Sequence, residues 1–205
     1  MVLPHGLFFV SSTDGRDTLL SVTRLSRLKV SLRITLNDHA YLRPVLYSDI
    51  TEAYVNGLND PVVNRFLGQS RLSRQTIESV RAYVEANQRN PHDVLLGIFI
   101  DGALRGTVRL HGVQEDAKIA TIGVLVFDKD YWRQGWASRA IGAVVDFATL
   151  ELGIQRFQAG MVAQNTASRK TFASLGFQHR PELDKVDSQS VALQYWHLDV
   201  KSQRL

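Results

Sequence analysis

The sequence predicts a single mixed α/β domain, in which helices pack on a mixed sheet that begins as an antiparallel meander. Three observations predict it. The 205 residues suit one domain with some excess length, and not two. An apolar content of 44% against 21% charged is that of a globular chain. From about residue 40 onward, segments with strand alternation interleave with segments of helical spacing.

Taken in order, residues 1 to about 35 read as an appended arm, extended and partly mobile, ahead of a domain over 36–205. Its Ser11-Ser12-Thr13-Asp14-Gly15-Arg16-Asp17 stretch is rich in turn formers, and the basic Arg24 to Lys29 follows. Tyr41 to Leu46 is a first strand, whose Pro44 suits an edge or an end. Ser48-Asp49 is expected to cap a helix from Ile50 to Leu58, and a short turn runs from Val62 to Leu67 before Gly68. Ser73 is the next cap, with Ile77, Val80 and Val84 spaced as one helical face down to Asn87.

Strands then follow. Val94 to Ile100 and Leu104 to His111 flank Asp101-Gly102, a strong hairpin signal. Lys118 to Phe127 carries the third strand of this group, and a helix from about Ser138 to Leu150 ends at Gly153. Arg156 to Val162 is a strand, Phe172 to Leu175 lies in a helix, and Val191 to Asp199 closes the alternation.

Composition excludes several chemistries. There is no cysteine, hence no disulfide, no thiolate zinc site and no cysteine nucleophile, and the six histidines lack metal-ligand spacing. No metal is expected. No run reaches the roughly 18 apolar residues of a membrane span, and Leu3 to Val10 lacks a basic leader. A chain that stays in the cytoplasm, away from membranes, is the expectation. The net charge of +4 suits an anionic ligand, while the scattered arginines, not interleaved with aromatics, argue against a nucleic-acid platform.

The segment joining strand to helix, from Phe127 to Ser138, is the main candidate for chemistry. Gly135 and Ala137 are small residues at a helix start, where unpaired backbone N–H groups and the helix dipole favour an anion. Arg133 adds positive charge. Taken alone, such a motif also describes an ordinary helix start.

From about Ala40 to Val200 the chain resembles the GNAT acetyltransferase superfamily. Three ordered matches carry the resemblance. Trp132-Arg133-Gln134-Gly135-Trp136-Ala137 is similar to the family's phosphate signature, with Trp132 where an Arg or Gln is usual. Asn165-Thr166-Ala167-Ser168 ahead of Leu175-Gly176-Phe177 resembles the Asn-x-x-Ser motif of the ribosomal-protein-alanine N-acetyltransferase branch, and Leu42-Arg43-Pro44 with Ser48-Asp49 resembles that branch's opening.

The resemblance implies a mostly antiparallel sheet of about seven strands, with a splayed strand pair that binds coenzyme A. It implies that the backbone of Val124, Leu125 and Val126 pairs with the pantetheine arm. The diphosphate would then meet Arg133, Gln134, Gly135, Trp136, Ala137 and Ser138, and Asn165 would contact the coenzyme near its thiol. The implied reaction is direct attack of a neutral primary amine on the thioester of acetyl-CoA, with Ser168 donating a proton to the departing thiolate. The glutamate that many relatives carry early in the splayed strand has no counterpart in Ala120-Thr121-Ile122-Gly123. Glu115, Asp116 and His111 are the remaining base candidates, each able to act only through water.

A site without a strong base favours an acceptor that is already deprotonated. Fewer than about one lysine amine in a thousand is neutral at pH 7, against about one α-amine in ten. A protein N-terminal α-amine is therefore the expected acceptor. An amino-sugar nucleotide or a small polyamine is the alternative, and a non-catalytic module that binds coenzyme A or nucleic acid is the reading from another class. The sequence leaves open whether the chain works alone or as a homodimer.

Overall fold

The computed structural model describes residues 23–67, 73–187 and 190–200. The turn-rich Ser11 to Asp17 stretch, the Leu3 to Val10 patch and Gly68 lie outside them. Among the described residues, no helix is long and apolar enough to cross a membrane.

The frame is a hairpin. β3 (Val94–Ile100) and β4 (Ala103–Gln114) turn back on each other through Asp101 and Gly102, whose φ angles of 49° and 78° are the left-handed pair a tight hairpin needs. On one side, β2 (Ala40–Pro44) and then β1 (Ile34–Asn37) extend the sheet antiparallel. On the other, β5 (Ile119–Val126) pairs with β4, also antiparallel. Helix α4 (Trp136–Leu152) then crosses over, so that β6 (Arg156–Val162) lies parallel to β5. After α5 (Thr166–Ser174), the short β7 (Gln178–His179) and β8 (Lys185–Val186) pair antiparallel with β9 (Ala192–Asp199), which pairs with β6.

The mixed α/β architecture is as expected, but the sheet has nine strands and not about seven. The additional ones are short: β1 has four residues, and β7 and β8 have two each. Runs of that length carry no readable alternation.

Strand alternation divides the core between the two sheet faces. Val94, Leu96, Ile98, Val108, Leu110, Ala120 and Ile122 meet the apolar stripe of α4, where Ala140, Ile141, Val144 and Ala148 are fully buried. On the opposite face, Val45, Leu95 and Phe127 pack against Tyr54, Val55 and Leu58 of α2 (Glu52–Asn59) and Val80 and Val84 of α3 (Ile77–Arg89).

Two helix caps differ from expectation. Thr51, and not Ser48-Asp49, caps α2, its hydroxyl accepting from the Tyr54 amide at 3.3 Å. The Asp49 carboxylate is instead held by both terminal nitrogens of Arg43 at 2.7 Å and by the Leu46 amide. A carboxylate clasped by a guanidinium forms the stronger bond, and the neutral hydroxyl is left to cap. Thr76, and not Ser73, caps α3 in a reciprocal exchange with Ser79.

The basic Arg24 to Lys29 segment contains α1 (Arg24–Leu28), capped by Thr23, and its Leu25 is fully buried in the main cluster. Truncating such a side chain to alanine costs roughly 2–5 kcal/mol.

Candidate active site

β5 pairs with β4 along most of its length, from Gly106↔Val126 to Gln114↔Ile119 with one irregularity. Against β6 it makes only three pairs, Ile119↔Arg156, Ala120↔Phe157 and Thr121↔Gln158. Beyond Thr121 the two strands part, while β6 continues pairing with β9 as far as Val162↔Leu193. The second half of β5 therefore has an edge with no strand beside it among the described residues.

Ladder alternation decides which groups face that gap. The Phe127 amide bonds to the Arg105 carbonyl at 3.1 Å, so Phe127 faces β4 with its main-chain groups. In an antiparallel ladder every second residue does the same, which turns Leu125 and Gly123 towards β4 and leaves Ile122, Val124 and Val126 on the open edge. A Cβ built on Gly106 of β4 would lie 2.7 Å from the Leu125 carbonyl oxygen, in keeping with that direction. Of the three backbone positions expected to pair with pantetheine, the open edge thus presents Val124 and Val126, and adds Ile122.

At the end of β5 the chain is fastened before it enters α4. Asp128 caps a single 3-10 turn, Lys129–Tyr131, and takes Arg105 Nη1 at 2.8 Å. The Arg105 guanidinium also lies over the Tyr131 ring, 4.8 Å from its centroid. Lys129 reaches Asp60 beyond α2 at 2.5 Å. Phe127 stacks on Tyr54 with centroids 4.6 Å apart, and a Cβ on Gly57 of α2 would come within 2.7 Å of the Phe127 ring. Gly57 is therefore an obligate glycine unless α2 moves.

Residues 132–138 then turn sharply. Arg133 and Gly135 both have positive φ, 60° and 80°, and Gly135 is the N-cap of α4 with no side chain capping it. The helix thus begins at Trp136, two residues before the expected start, and its first amides, those of Trp136, Ala137 and Ser138, have no acceptor within the helix. A Cβ at Gly135 would meet nothing closer than Ser138 Oγ at 3.7 Å, so the space above these donors is clear. Gln134 is tied in place, donating from Nε2 to the Asp130 carbonyl at 2.7 Å and accepting from Trp136 Nε1 at 3.1 Å. Ser138 Oγ donates to the Gly135 carbonyl. The Arg133 side chain is exposed. Clear space, free amides, a nearby guanidinium and a 17-residue helix dipole are the chemistry a diphosphate requires, and these residues fit one.

Asn165 and Ser168 stand at the carboxyl end of β6, across the gap. Because β5 and β6 are parallel, this end lies at the same end of the sheet as Val126 and the turn into α4. Asn165 caps α5, its Oδ1 accepting from the Ser168 amide at 3.1 Å, while its own amide bonds to the Val162 carbonyl. Neither Asn165 Nδ2 nor Ser168 Oγ has a hydrogen-bond partner among the described residues.

The three base candidates are placed differently. Glu115 and Asp116 lie in the turn between β4 and β5, at the opposite end of β5 from residues 128–135, and Glu115 accepts from the Leu25 amide at 3.3 Å. His111 is paired with Thr121, where β5 and β6 separate. Burial, and then the neighbouring Arg109 cation, lower its pKa, with Asp93 acting in the opposite sense. The imidazole is therefore neutral at pH 7 and able to accept a proton.

Sequence reasoning passed over Arg109 and Gly123, which are register partners beside the gap. A Cβ at Gly123 would meet nothing within 4 Å. The alternation of Thr107, Arg109 and His111 along β4 is a signal for a polar face, and no helix pattern in the sequence marks which part of that face stays uncovered.

Comparison with known proteins agrees with this geometry. Residues 39–178 match the family model described as an acetyltransferase (GNAT) domain. The chain is 27% identical over 145 residues to the uncharacterized N-acetyltransferase YoaA of Bacillus subtilis (strain 168), covering 69% of this chain and 80% of that protein. The fold is similar to that of RimL, a ribosomal-protein alpha-N-acetyltransferase, in complex with coenzyme A, with a TM-score of 0.71 at 16% identity over 82% of this chain and 98% of the other. It is also similar to the microcin self-immunity acetyltransferase MccE in complex with acetyl-CoA and AMP, with a TM-score of 0.70 at 17% identity over 80% and 94%. With a family model spanning more than half its length and a parted strand pair opening on an uncapped helix, the chain belongs to the GNAT acetyltransferase family.

Proposed function

We propose that this protein transfers the acetyl group of acetyl-CoA to a primary amine by direct attack, with an α-amine such as a protein N-terminus as the acceptor. The observation that carries the reading is the three-residue contact between β5 and β6, which opens directly onto the uncapped start of α4. The main-chain groups of Ile122 and Val124, with the amide of Val126, whose carbonyl is taken by Trp132, bind the extended arm of the coenzyme as a further strand would. The amides of Trp136, Ala137 and Ser138, with Arg133, hold its phosphates. Bound there, acetyl-CoA supplies the activated acyl group.

Ser168 donates its hydroxyl proton towards the sulfur as the C–S bond breaks, and Asn165 Nδ2 orients the same end of the ligand. Among the base candidates, His111 fits best. It lies where the strands part and is neutral, whereas Glu115 is engaged with Leu25. It takes the amine proton through water, which suits an acceptor that is partly deprotonated at the outset. A nucleotide-linked amino sugar is the second reading, favoured by the part-exposed Arg109 opposite Gly123.

The test is thiol release from acetyl-CoA with three acceptors: an alanine-starting peptide, an amino-sugar nucleotide and a lysine peptide with a blocked N-terminus. Fastest turnover of the α-amine is expected. Preference for the lysine side chain would remove the α-amine assignment, and absence of thiol release with every amine would remove the acetyl-transfer reading.

A further inference from the structure

Two cavities adjoin on the sheet face to which Gly123 belongs. Ala120, Ile122, Val124 and Val126 pack towards α4, so Thr121, Gly123 and Leu125 face the side of α2 and α3. One cavity, of about 400 Å³, is lined by Tyr54, Tyr83, Arg74 and Arg109. The other, of about 630 Å³, is lined by Arg65, Gly160, Tyr195 and Asp187. Leu67 borders both.

We infer that these cavities receive an acceptor bearing an anionic group, a carboxylate or a phosphate, close to its amine, and that Arg109, Arg74 and Arg65 hold that group. The inference rests on the acetyl-transfer reading and names the acceptor class for the same site.

Charge balance leads there. Asp93 is committed to Arg109 at 2.5 Å and to the Gly112 amide at 2.9 Å, and Asp187 accepts from the Val191 amide at 2.9 Å. Arg109 keeps a third of its side chain exposed, and its buried Nε has no partner. Arg74 and Arg65 are exposed and form no salt bridge among the described residues, and the Arg65 guanidinium lies over the Phe66 ring, 4.9 Å from its centroid. Three arginines against the carboxylates of Asp93 and Asp187 leave the lining cationic by one charge, which disfavours a small polycation.

An anion beside the amine reverses that cost, because a guanidinium binds carboxylate or phosphate through paired N–H donors. The same arginines assist the chemistry. A positive charge near an ammonium disfavours its protonated form, so an amine drawn into this lining is shifted towards the neutral nucleophile. A cationic wall thereby supplies part of what the missing strand glutamate would.

The experiment compares kcat/KM for alanine-starting peptides whose next residues are acidic, neutral or lysine, with a phosphorylated amino sugar as a separate arm. The acidic peptide or the amino-sugar phosphate should exceed the neutral peptide roughly tenfold, in line with a charge-assisted contact. The preference should shrink as salt rises. Which of the two leads identifies the anion as carboxylate or phosphate. In Arg74→Gln and Arg65→Gln, both exposed and remote from the core, the ratio of anionic to neutral acceptor should fall towards one. In Arg109→Gln it should fall further, with circular dichroism reporting whether loss of the Asp93 pair disturbs folding. Equal or better use of the neutral or lysine peptide by the unaltered protein overturns the inference, as does an unchanged ratio in the exposed variants. Either outcome with thiol still released leaves acetyl transfer standing, whereas no thiol release with any acceptor defeats the underlying reading.

Discussion

Trp132 donates its indole Nε1–H to the carbonyl of Val126 at 2.7 Å, joining the turn before α4 to the last residue of the open edge. The family signature usually has Arg or Gln at this position, and here an aromatic ring ties the loop to the strand. Trp132→Phe keeps the ring and removes the donor. One hydrogen bond of about 1 kcal/mol corresponds to roughly a fivefold rise in the dissociation constant of acetyl-CoA, measured by calorimetry, with kcat changed much less. An unaltered affinity would show that the tie has no part in holding the coenzyme.

Gly135 separates conformation from occupancy. At φ 80° any side chain is disfavoured, so Gly135→Ala should lower stability by about 1 kcal/mol while leaving the clear space above the amides nearly unchanged. Gly135→Glu adds bulk and a negative charge where the phosphates are proposed to sit, and should weaken acetyl-CoA binding at least tenfold beyond the alanine variant. Comparable affinity in the two variants would contradict an anion site at this helix start.

Asn165 caps α5 and is proposed to contact the coenzyme, and substitution can part the two. Asn165→Ala removes the cap of α5 and should cost about 1 kcal/mol in urea unfolding. Asn165→Asp keeps an oxygen for the Ser168 amide and should retain stability, yet it loses the Nδ2 donor and should fall in kcat/KM alongside the alanine variant. Full activity in Asn165→Asp would confine the residue to capping.

The stability of the fold should depend on pH through His111. Its pKa is depressed in the folded protein by burial first and by Arg109 second, against the pull of Asp93. As pH falls below the ordinary value of 6.5, the unfolded chain takes up a proton that the folded chain refuses, so stability is lost as pH falls from there towards the lower folded-state value. Above pH 7 neither state is protonated and the contribution is flat. His197 adds in the same sense, lowered by burial, then by Arg180 and Arg156, with Asp199 and Glu182 opposing. His111→Gln should flatten, and not abolish, the decline seen in urea titrations at pH 5, 6, 7 and 8. An identical slope in the variant would mean that the imidazole protonates as freely folded as unfolded.

Periodicity made most of the sheet legible, because strands such as Val94–Ile100 and the Asp101-Gly102 turn are long or chemically explicit. It could not reach β1, β7 and β8, whose two to four residues are placed by neighbours and not by pattern. The caps at Thr51 and Thr76 were missed because Asp49 and Ser73 are equally good capping types. The contacts of Asp49 with Arg43, six residues away, and with the Leu46 amide show where its carboxylate goes. At the candidate site, the residues of residue-type motifs, Gly135 and Asn165 among them, could be named in advance. Arg109 and Gly123 could not, since their significance comes from facing each other beside a gap that exists only in three dimensions.

The near-contact of Gly57 with the Phe127 ring leaves no slack between α2 and the end of β5. One wall of the arginine-lined hollow and the root of the turn proposed to hold the phosphates are thus one mechanical piece. A bulky substitution at Gly57 would be felt at a distance, as a fault in coenzyme affinity arising in a helix outside the proposed phosphate turn.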